Sequence, residues 1–178
     1  GEVSLPLAGI EGALGAYEPL QNIRSSVVNV RDFGAMGLGA DYTAEIQAAY
    51  DSLPDAVGPT WGGGVVEIPP GRYGVTQIVL NLHKPAVFMR VGGASARRPS
   101  ALQPSGGDAV LIGLDSSVDS SMFTANYESG WNGYGFQWKS LQFDMSAGTY
   151  YGIDLRNVSF VLVDDCGAYS VDSMGYAQ

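Results

Sequence analysis

Short apolar segments separated by turn-forming residues constrain the fold of this chain more than any other feature. From residue 65 onward, each apolar run gives way within a few residues to glycine, serine, asparagine, aspartate or proline. Runs of this length are typical of β-strands and too short for the helices of a bundle. The predicted strands cover residues 65–68, 78–80, 86–91, 110–114, 136–145 and 153–163. The chain is therefore predicted to be mainly β, as a solenoid, a sandwich or a small barrel.

One amphipathic helix is predicted ahead of these strands. Val28 and Val30 alternate with polar residues as in a half-buried strand, and a glycine-spaced loop follows. Asp41 is a suitable N-cap, because its carboxylate can accept from free amides of the first helical turn. The apolar stripe consists of Ile46, Ala49, Tyr50 and Leu53, and Pro54 ends the helix. A helix with one apolar face is expected to lie against a larger body.

Two similar segments in the C-terminal half favour parallel stacking of strands. "GFQWKSLQF" from Gly135 and "GIDLRNVSF" from Gly152 share a glycine followed by alternating apolar residues. A second alignment, which conflicts with the first, matches Leu141 with Val161. Either alignment places like residues together inside a stack, and Cys166 is expected to point inward there.

The segment from Asn29 to Tyr73 resembles the opening of the pectate-lyase-like right-handed parallel β-helix superfamily, which includes pectin-degrading enzymes and bacteriophage tailspikes. The matching stretches are "DFGA" at 32–35, "IQA" at 46–48, "GGG" at 62–64 and "PPG" followed by Tyr73. Leu38 and Tyr42 stand where the family usually has aspartates. The resemblance implies a mainly β fold, a right-handed parallel β-helix with a short capping α-helix, and contact with polysaccharide.

The chain is expected to divide into two parts. Residues 1–26 lack a clear period and are predicted to form an N-terminal arm or linker. Residues 27–178 are predicted to form the pectate-lyase-like β-helix domain, or the N-terminal part of a longer domain of this kind.

Charge and composition exclude several classes of partner. A net charge of -9 would repel a phosphate backbone, so no nucleic-acid partner is expected. No apolar run approaches the roughly 20 residues needed to cross a bilayer, so no membrane insertion is expected. The single cysteine excludes an intrachain disulfide, and neither a metal site nor a cofactor is predicted. A solvated loop is expected to contain the basic residues Lys84, Arg90, Arg97 and Arg98. His83 is expected to lie in a turn or on the surface.

Four aspartates and one arginine are the weak catalytic candidates. Hydrolysis of a glycoside needs two carboxylates flanking one bond, and lyase chemistry needs a base. The candidate residues are Asp144, Asp154, Asp164, Asp165 and Arg156. Solvated aspartates at strand corners are the preferred interpretation, so enzymatic activity stays open. If the chain is active, a polysaccharide lyase or a glycoside hydrolase is expected.

An aromatic stretch, "NYESGWNGYGFQW", supplies the substrate-binding candidates. Tyr127, Trp131 and Tyr134 can offer flat apolar faces to sugar rings, and a contact between subunits is the alternative use. Trp138 alternates with Phe136 and is predicted to be buried.

Together these observations predict a phage tailspike or tail-fibre-like virion protein that binds host surface polysaccharide, and whether it also degrades the polysaccharide stays open. The expected partners are carbohydrate, other virion or tail subunits and two further copies of the chain in a homotrimer. The expected location is the virion tail or outside the cell. One alternative is a secreted bacterial polysaccharide-degrading enzyme of the pectate lyase or polygalacturonase type. The other is a purely structural virion component.

Overall fold

The computed structural model describes residues 26–55, 62–81, 84–92, 107–126, 133–156, 158–159 and 161–169. Apart from Ser26, the predicted N-terminal arm lies outside the described residues. The helical elements are a 3₁₀ helix (Val30–Phe33) and one α-helix, α1 (Thr43–Asp51). The strands are β1 (Val27–Asn29), β2 (Leu38–Asp41), β3 (Gly64–Ile68), β4 (Gly71–Val75), β5 (Ile78–Val79), β6 (Ala86–Arg90), β7 (Ala109–Gly113), β8 (Ser121–Asn126), β9 (Gly133–Tyr134), β10 (Gln137–Lys139), β11 (Leu141–Asp144), β12 (Tyr151–Arg156), β13 (Val158–Ser159), β14 (Leu162–Asp164) and β15 (Gly167–Tyr169).

These strands pair in parallel and divide among four sheets. The first sheet has the order β1-β3-β6-β10-β14, and the second has the order β15-β11-β7-β4-β2. The third contains β12-β8-β5, and β13 pairs with β9 in a fourth. Strands that follow one another along the chain mostly enter different sheets. Parallel partners therefore come from distant parts of the sequence.

The predicted fold, a single right-handed parallel β-helix, is wrong. The described strands form separate parallel sheets of five, five, three and two strands with one α-helix, so only the mainly β class and the parallel pairing are retained. Residues with positive φ break the strands apart. Ser140, at φ 55°, separates β10 in the first sheet from β11 in the second, and Asp165, at φ 53°, separates β14 from β15 in the same way.

The observed register differs from both alignments of the C-terminal segments. Trp138 lies beside Val163, and Phe143 lies beside Ala168. The pairing therefore joins residues 25 positions apart in both cases, with Ser140 and Asp165 at matching corners. Cys166 packs against the apolar core at its edge, consistent with the inward position expected for it.

Aromatic rings from three sheets meet in one core. Phe88 and Trp138, neighbours in the first sheet, stack with centroids 5.9 Å apart and planes at 12°. Phe123 of the third sheet contacts both rings edge-on, at 4.9 and 5.5 Å, and lies 6.3 Å from Phe143 of the second. The predicted burial of Trp138 is confirmed, since no part of that residue is exposed.

Helix α1 has the apolar stripe that the sequence predicts. Ile46, Ala49 and Tyr50 are buried within α1, and Leu53 is buried just after the helix ends at Asp51. Tyr42 occupies the N-cap position without a capping side chain, while the Asp41 carboxylate accepts from the amide of Thr43 at 2.9 Å. The Tyr50 hydroxyl donates to the carbonyl of Lys84 at 2.9 Å, which joins the helix to the turn before β6. No helix within the described ranges is long and apolar enough to span a membrane.

The solvated basic loop expected around Lys84 and Arg90 is wrong for both of these residues. Lys84 is buried, and its ammonium group donates to the carbonyl of Asp51 at 2.6 Å and lies 3.3 Å from the Asp55 carboxylate. Arg90 donates to the carbonyl of Gly107 at 2.9 Å. A buried cation requires such oxygen partners, and they come from distant sequence positions. Arg97, Arg98 and His83 lie outside the described residues.

Candidate functional site

The candidate carboxylates lie in three different sheets. Asp144 ends β11 in the second sheet, Asp154 lies within β12 in the third, and Asp164 ends β14 in the first. Asp165 occupies the turn after β14, where its carboxylate accepts from the Ser140 hydroxyl at 3.0 Å. The fold therefore does not gather Asp144, Asp154 and Asp164 on a common strand or sheet.

Asp144 is held in an ion pair on the outward side of the second sheet. Its carboxylate lies 3.2 Å from the guanidinium of Arg72 and also accepts from the amide of Ser146 at 3.1 Å. The side chain of Asp144 is only 6% exposed, whereas that of Arg72 is 49% exposed. Arg72 lies beside Val110, one strand away from β11. The arginine side chain therefore reaches across β7, a contact that fastens three strands together.

Cys166 follows the exposed Asp164 and Asp165 and is only partly covered. Burial raises the pKa of its thiol, and the nearby charges of Asp165 and Asp164 raise it further, while hydrogen bonds with the backbone of Leu141 and Asp164 lower it. A thiol with a raised pKa carries less thiolate at neutral pH, so this environment disfavours a nucleophilic role.

Asp154 and Arg156 form a two-point ion pair on the outward side of the third sheet. The Arg156 Nη2 and Nε atoms donate to the two Asp154 oxygens at 2.9 and 3.3 Å. Asp154 lies beside Thr124, and Thr124 lies beside the exposed Val79, which places this row on the solvent side. The hydrogen bond and charge of Asp154 raise the pKa of Arg156, and Asp119 and Tyr151 add smaller contributions in the same direction.

Of the three aromatic residues predicted to bind sugar, only Tyr134 belongs to the described residues. Tyr127 and Trp131 lie outside the described residues. Tyr134 belongs to β9, whose backbone pairs with β13, opposite Ser159. A sugar-binding role for Tyr127, Trp131 and Tyr134 stays a prediction.

Two exposed tyrosines that the sequence analysis missed lie just before and within β12. Tyr150 is 58% exposed and Tyr151 is 41% exposed. Their ring centroids are 5.7 Å apart and their planes meet at 58°. The available signal was two adjacent tyrosines after a Gly-Thr turn, because neighbours on a strand point to opposite sides and cannot both enter the core.

Hydrogen bonds hold the backbone of this tyrosine pair in place. The Tyr151 amide donates to the carbonyl of Ser120 at 3.0 Å, and the Thr149 hydroxyl donates to the carbonyl of Asp115 at 2.7 Å. Thr149 is buried. Its side chain packs so closely against Gly113 that an added Cβ at position 113 would overlap it. Glycine at 113 thus lets Thr149 fill that space and leaves the two rings outside.

No cluster of three or more metal-ligating side chains occurs in the part of the chain that the structure describes.

Comparison with known proteins gives one match in fold. No family model matches the chain, and no curated protein matches it. Among solved structures, ORF18 of Geobacillus virus E2 is similar, with a TM-score of 0.62 and 20% sequence identity. The match covers 93% of this chain and 29% of the ORF18 chain, so the chain spans less than a third of that protein. At this identity the likeness shows a shared fold.

Proposed function

We propose that this chain is part of a bacteriophage tail protein, of the tailspike or tail-fibre type, that binds polysaccharide on the host surface. The observation that carries the proposal is the fold likeness to a viral protein over 93% of the chain. The expected location is the virion tail, or the extracellular medium for a released protein.

Surface chemistry favours a carbohydrate as the ligand. The two exposed rings of Tyr150 and Tyr151 offer apolar faces, and Asp154 and Arg156 offer hydrogen-bond acceptors and donors in the same strand. Sugar rings present both an apolar face and hydroxyl groups, which suits such a mixture. The net charge of -9 disfavours nucleic acid.

Binding is favoured over cleavage by the state of the described carboxylates. Of the four candidate aspartates, Asp144 is engaged by Arg72, Asp154 by Arg156, and Asp165 by Ser140, which leaves Asp164 without a second unengaged candidate beside it. Glycoside hydrolysis requires two carboxyl groups roughly 5 to 10 Å apart across one bond, one of them free to donate a proton. A secreted lyase or hydrolase is therefore the less favoured reading of this surface.

A purely structural virion component is the second candidate, and an exposed apolar row favours it. Val161, Leu162 and Val163 are 42 to 52% exposed, although Trp138, the register partner of Val163, is fully buried. An exposed strand of this kind invites pairing with another polypeptide. Contacts with other virion or tail subunits and assembly as a homotrimer are proposed on this basis.

A polysaccharide panel tests the proposal. The purified chain is applied to immobilised capsular polysaccharides and O-polysaccharides, both neutral and acidic, and bound protein is measured after washing. Reversible binding to at least one polymer is expected, without new reducing ends or unsaturated products. Absence of binding to every polymer at millimolar repeat-unit concentration would favour the structural role, while released products would establish an enzyme. Sedimentation equilibrium on the same sample tests the trimer.

A further inference from the structure

We propose that Tyr150, Tyr151, Asp154 and Arg156 together form a binding subsite for a neutral polysaccharide. This inference rests on the proposed polysaccharide binding and assigns it to a particular surface. It differs from the site predicted at Tyr127, Trp131 and Tyr134, since none of its four residues belongs to that stretch.

Exposure of the tyrosine rings is the first argument. Both rings leave a large part of their area in water, although the described core buries large aromatic side chains such as Trp138, Phe123 and Tyr73 completely. The backbone amides of Tyr150 and Tyr151 donate to the hydroxyl and the carbonyl of Ser120, at 3.3 and 3.0 Å. A ligand would therefore meet rings on a fixed backbone, which limits the entropy lost on binding.

The angle between the rings is the second argument. At 58°, the two planes form an open corner and do not cover one another face to face. Each ring thus keeps a face that a pyranose can stack on, and one sugar or two consecutive sugars can contact both rings. The apolar C–H face of a neutral hexose is the natural complement of such a surface.

The ion pair supplies the polar half of the subsite. Asp154 and Arg156 neutralise one another, yet the carboxylate has acceptor capacity left and Arg156, 62% exposed, has donors left. Vicinal hydroxyl groups both donate and accept, so they can bond to the two partners together. Tyr151, Asp154 and Arg156 all belong to the six-residue strand β12, which brings the aromatic and charged groups to one short segment of the surface.

Charge selects a neutral ligand over an acidic one. The Asp154–Arg156 pair has no net charge, and the whole chain carries -9. A uronic-acid polymer would approach a negative potential with a single, already paired cation to receive it. We therefore infer that neutral glucans, mannans or galactans bind and that polygalacturonate and alginate bind weakly or not at all.

The experiment measures how tightly five variants bind the polymers that the unaltered chain binds. Tyr150→Ala and Tyr151→Ala should each weaken binding about tenfold, the value expected for one lost aromatic stacking contact. Arg156→Gln should also weaken binding, by removing the charged donors. Leu38→Ala, which shortens an exposed apolar side chain far from β12 in sequence, is the control and should leave affinity unchanged. Thermal unfolding of each variant checks that the fold is kept.

Trp131→Ala separates the inference from the proposed function. If Tyr150→Ala and Tyr151→Ala lower affinity while Trp131→Ala does not, the subsite is supported. If Trp131→Ala abolishes binding and the two tyrosine variants bind normally, this subsite is wrong although polysaccharide binding survives. If the unaltered chain binds only acidic polymers, the inference is overturned as well. If it binds none, the proposed function fails and the subsite fails with it.

Discussion

Aromatic residues occupy two contrasting regions of this molecule. Between the sheets, Phe88, Phe123 and Trp138 contact one another and are completely buried. At the turn into β12, Tyr150 and Tyr151 also contact one another, but both remain in solvent. The same kind of contact therefore serves folding in one region and leaves a surface available in the other.

Strand neighbours account for the difference. Trp138 lies in β10, which has β6 on one side and β14 on the other, so its row is covered from both directions. Tyr151 lies in β12, which ends the described three-stranded sheet and pairs with β8 alone. An aromatic residue is buried here when parallel strands flank it, and its residue type alone does not decide this. We therefore expect substitutions to cost stability in the interior and ligand affinity at the turn.

The largest effect is expected at a buried close approach of two backbone segments. Gly63 has φ +86°, and an added Cβ would overlap the carbonyl oxygen of Pro85. Gly63→Val should lower the free energy of unfolding by more than about 4 kcal/mol. The backbone at Pro85 would have to move, and valine would have to adopt a strained positive φ. Urea denaturation followed by circular dichroism measures the loss.

Gly39→Val is the matched control for that substitution. Gly39 has nearly the same φ, +87°, but no atom lies within 4 Å of an added Cβ. Only the conformational penalty of about 1 to 2 kcal/mol is then expected. Equal losses in the two variants would show that the Gly63 to Pro85 approach does not constrain the fold.

Removing the central ring of the core should give the next largest effect. Trp138→Ala is expected to lower the free energy of unfolding by about 3 to 5 kcal/mol, because it leaves a cavity among Phe88, Phe123 and Phe136. Trp138→Phe should cost less, since a ring remains and the indole Nε1 has no hydrogen-bond partner among the described residues. Comparison of urea midpoints tests this order, and a neutral Trp138→Ala would contradict the assignment of the core.

Alkaline pH should destabilise the interior through Tyr73. Burial raises the pKa of its hydroxyl above the ordinary value of 10.0, although Arg31 opposes the shift. A raised pKa in the folded state means that this stability is fully present below about pH 10 and is lost as pH rises through the folded value. Unfolding free energy measured from pH 8 to 11 should therefore fall, and Tyr73→Phe should flatten the fall. An unchanged slope in Tyr73→Phe would exclude this tyrosine as the cause.

The smallest effect on stability is expected at the exposed turn. Tyr151→Ala should change the free energy of unfolding by less than about 0.5 kcal/mol, as for surface substitutions in general. Differential scanning calorimetry beside Trp138→Ala provides the comparison. A loss as large as that of Trp138→Ala would mean that the tyrosine pair is part of the folding core.

Local features of this fold follow from the sequence, and its sheet organisation does not. The stripe of α1 and the burial of Trp138 follow from the local pattern of apolar residues and were predicted. The separation into sheets depends on positive φ at Ser140 and Asp165. Aspartate adopts positive φ more readily than most residues, but serine gives no such warning, so the corner at Ser140 could not be predicted. Lys84 was missed as a buried residue because its partners lie about thirty positions away.

Candidate binding residues were harder to predict for a related reason. Trp131 and Tyr134 were predicted from their aromatic type and the neighbouring glycines. The exposure of Tyr150 and Tyr151 depends instead on how Thr149 packs against Gly113. The pairing of Asp154 with Arg156 was foreseeable from their spacing, since residues two apart on a strand share a side. The exposure of Tyr151 in the same strand could be seen only in the structure.

Nitration of tyrosines by tetranitromethane, mapped by mass spectrometry with and without a bound neutral polysaccharide, tests the contrast between the two regions most directly. Tyr150 and Tyr151 should react readily and become protected by the polysaccharide, whereas Tyr50 and Tyr73, which are completely buried, should stay unmodified in both samples. Equal modification of Tyr50 and Tyr73, or unchanged reactivity of Tyr150 and Tyr151 beneath a bound polymer, would contradict it.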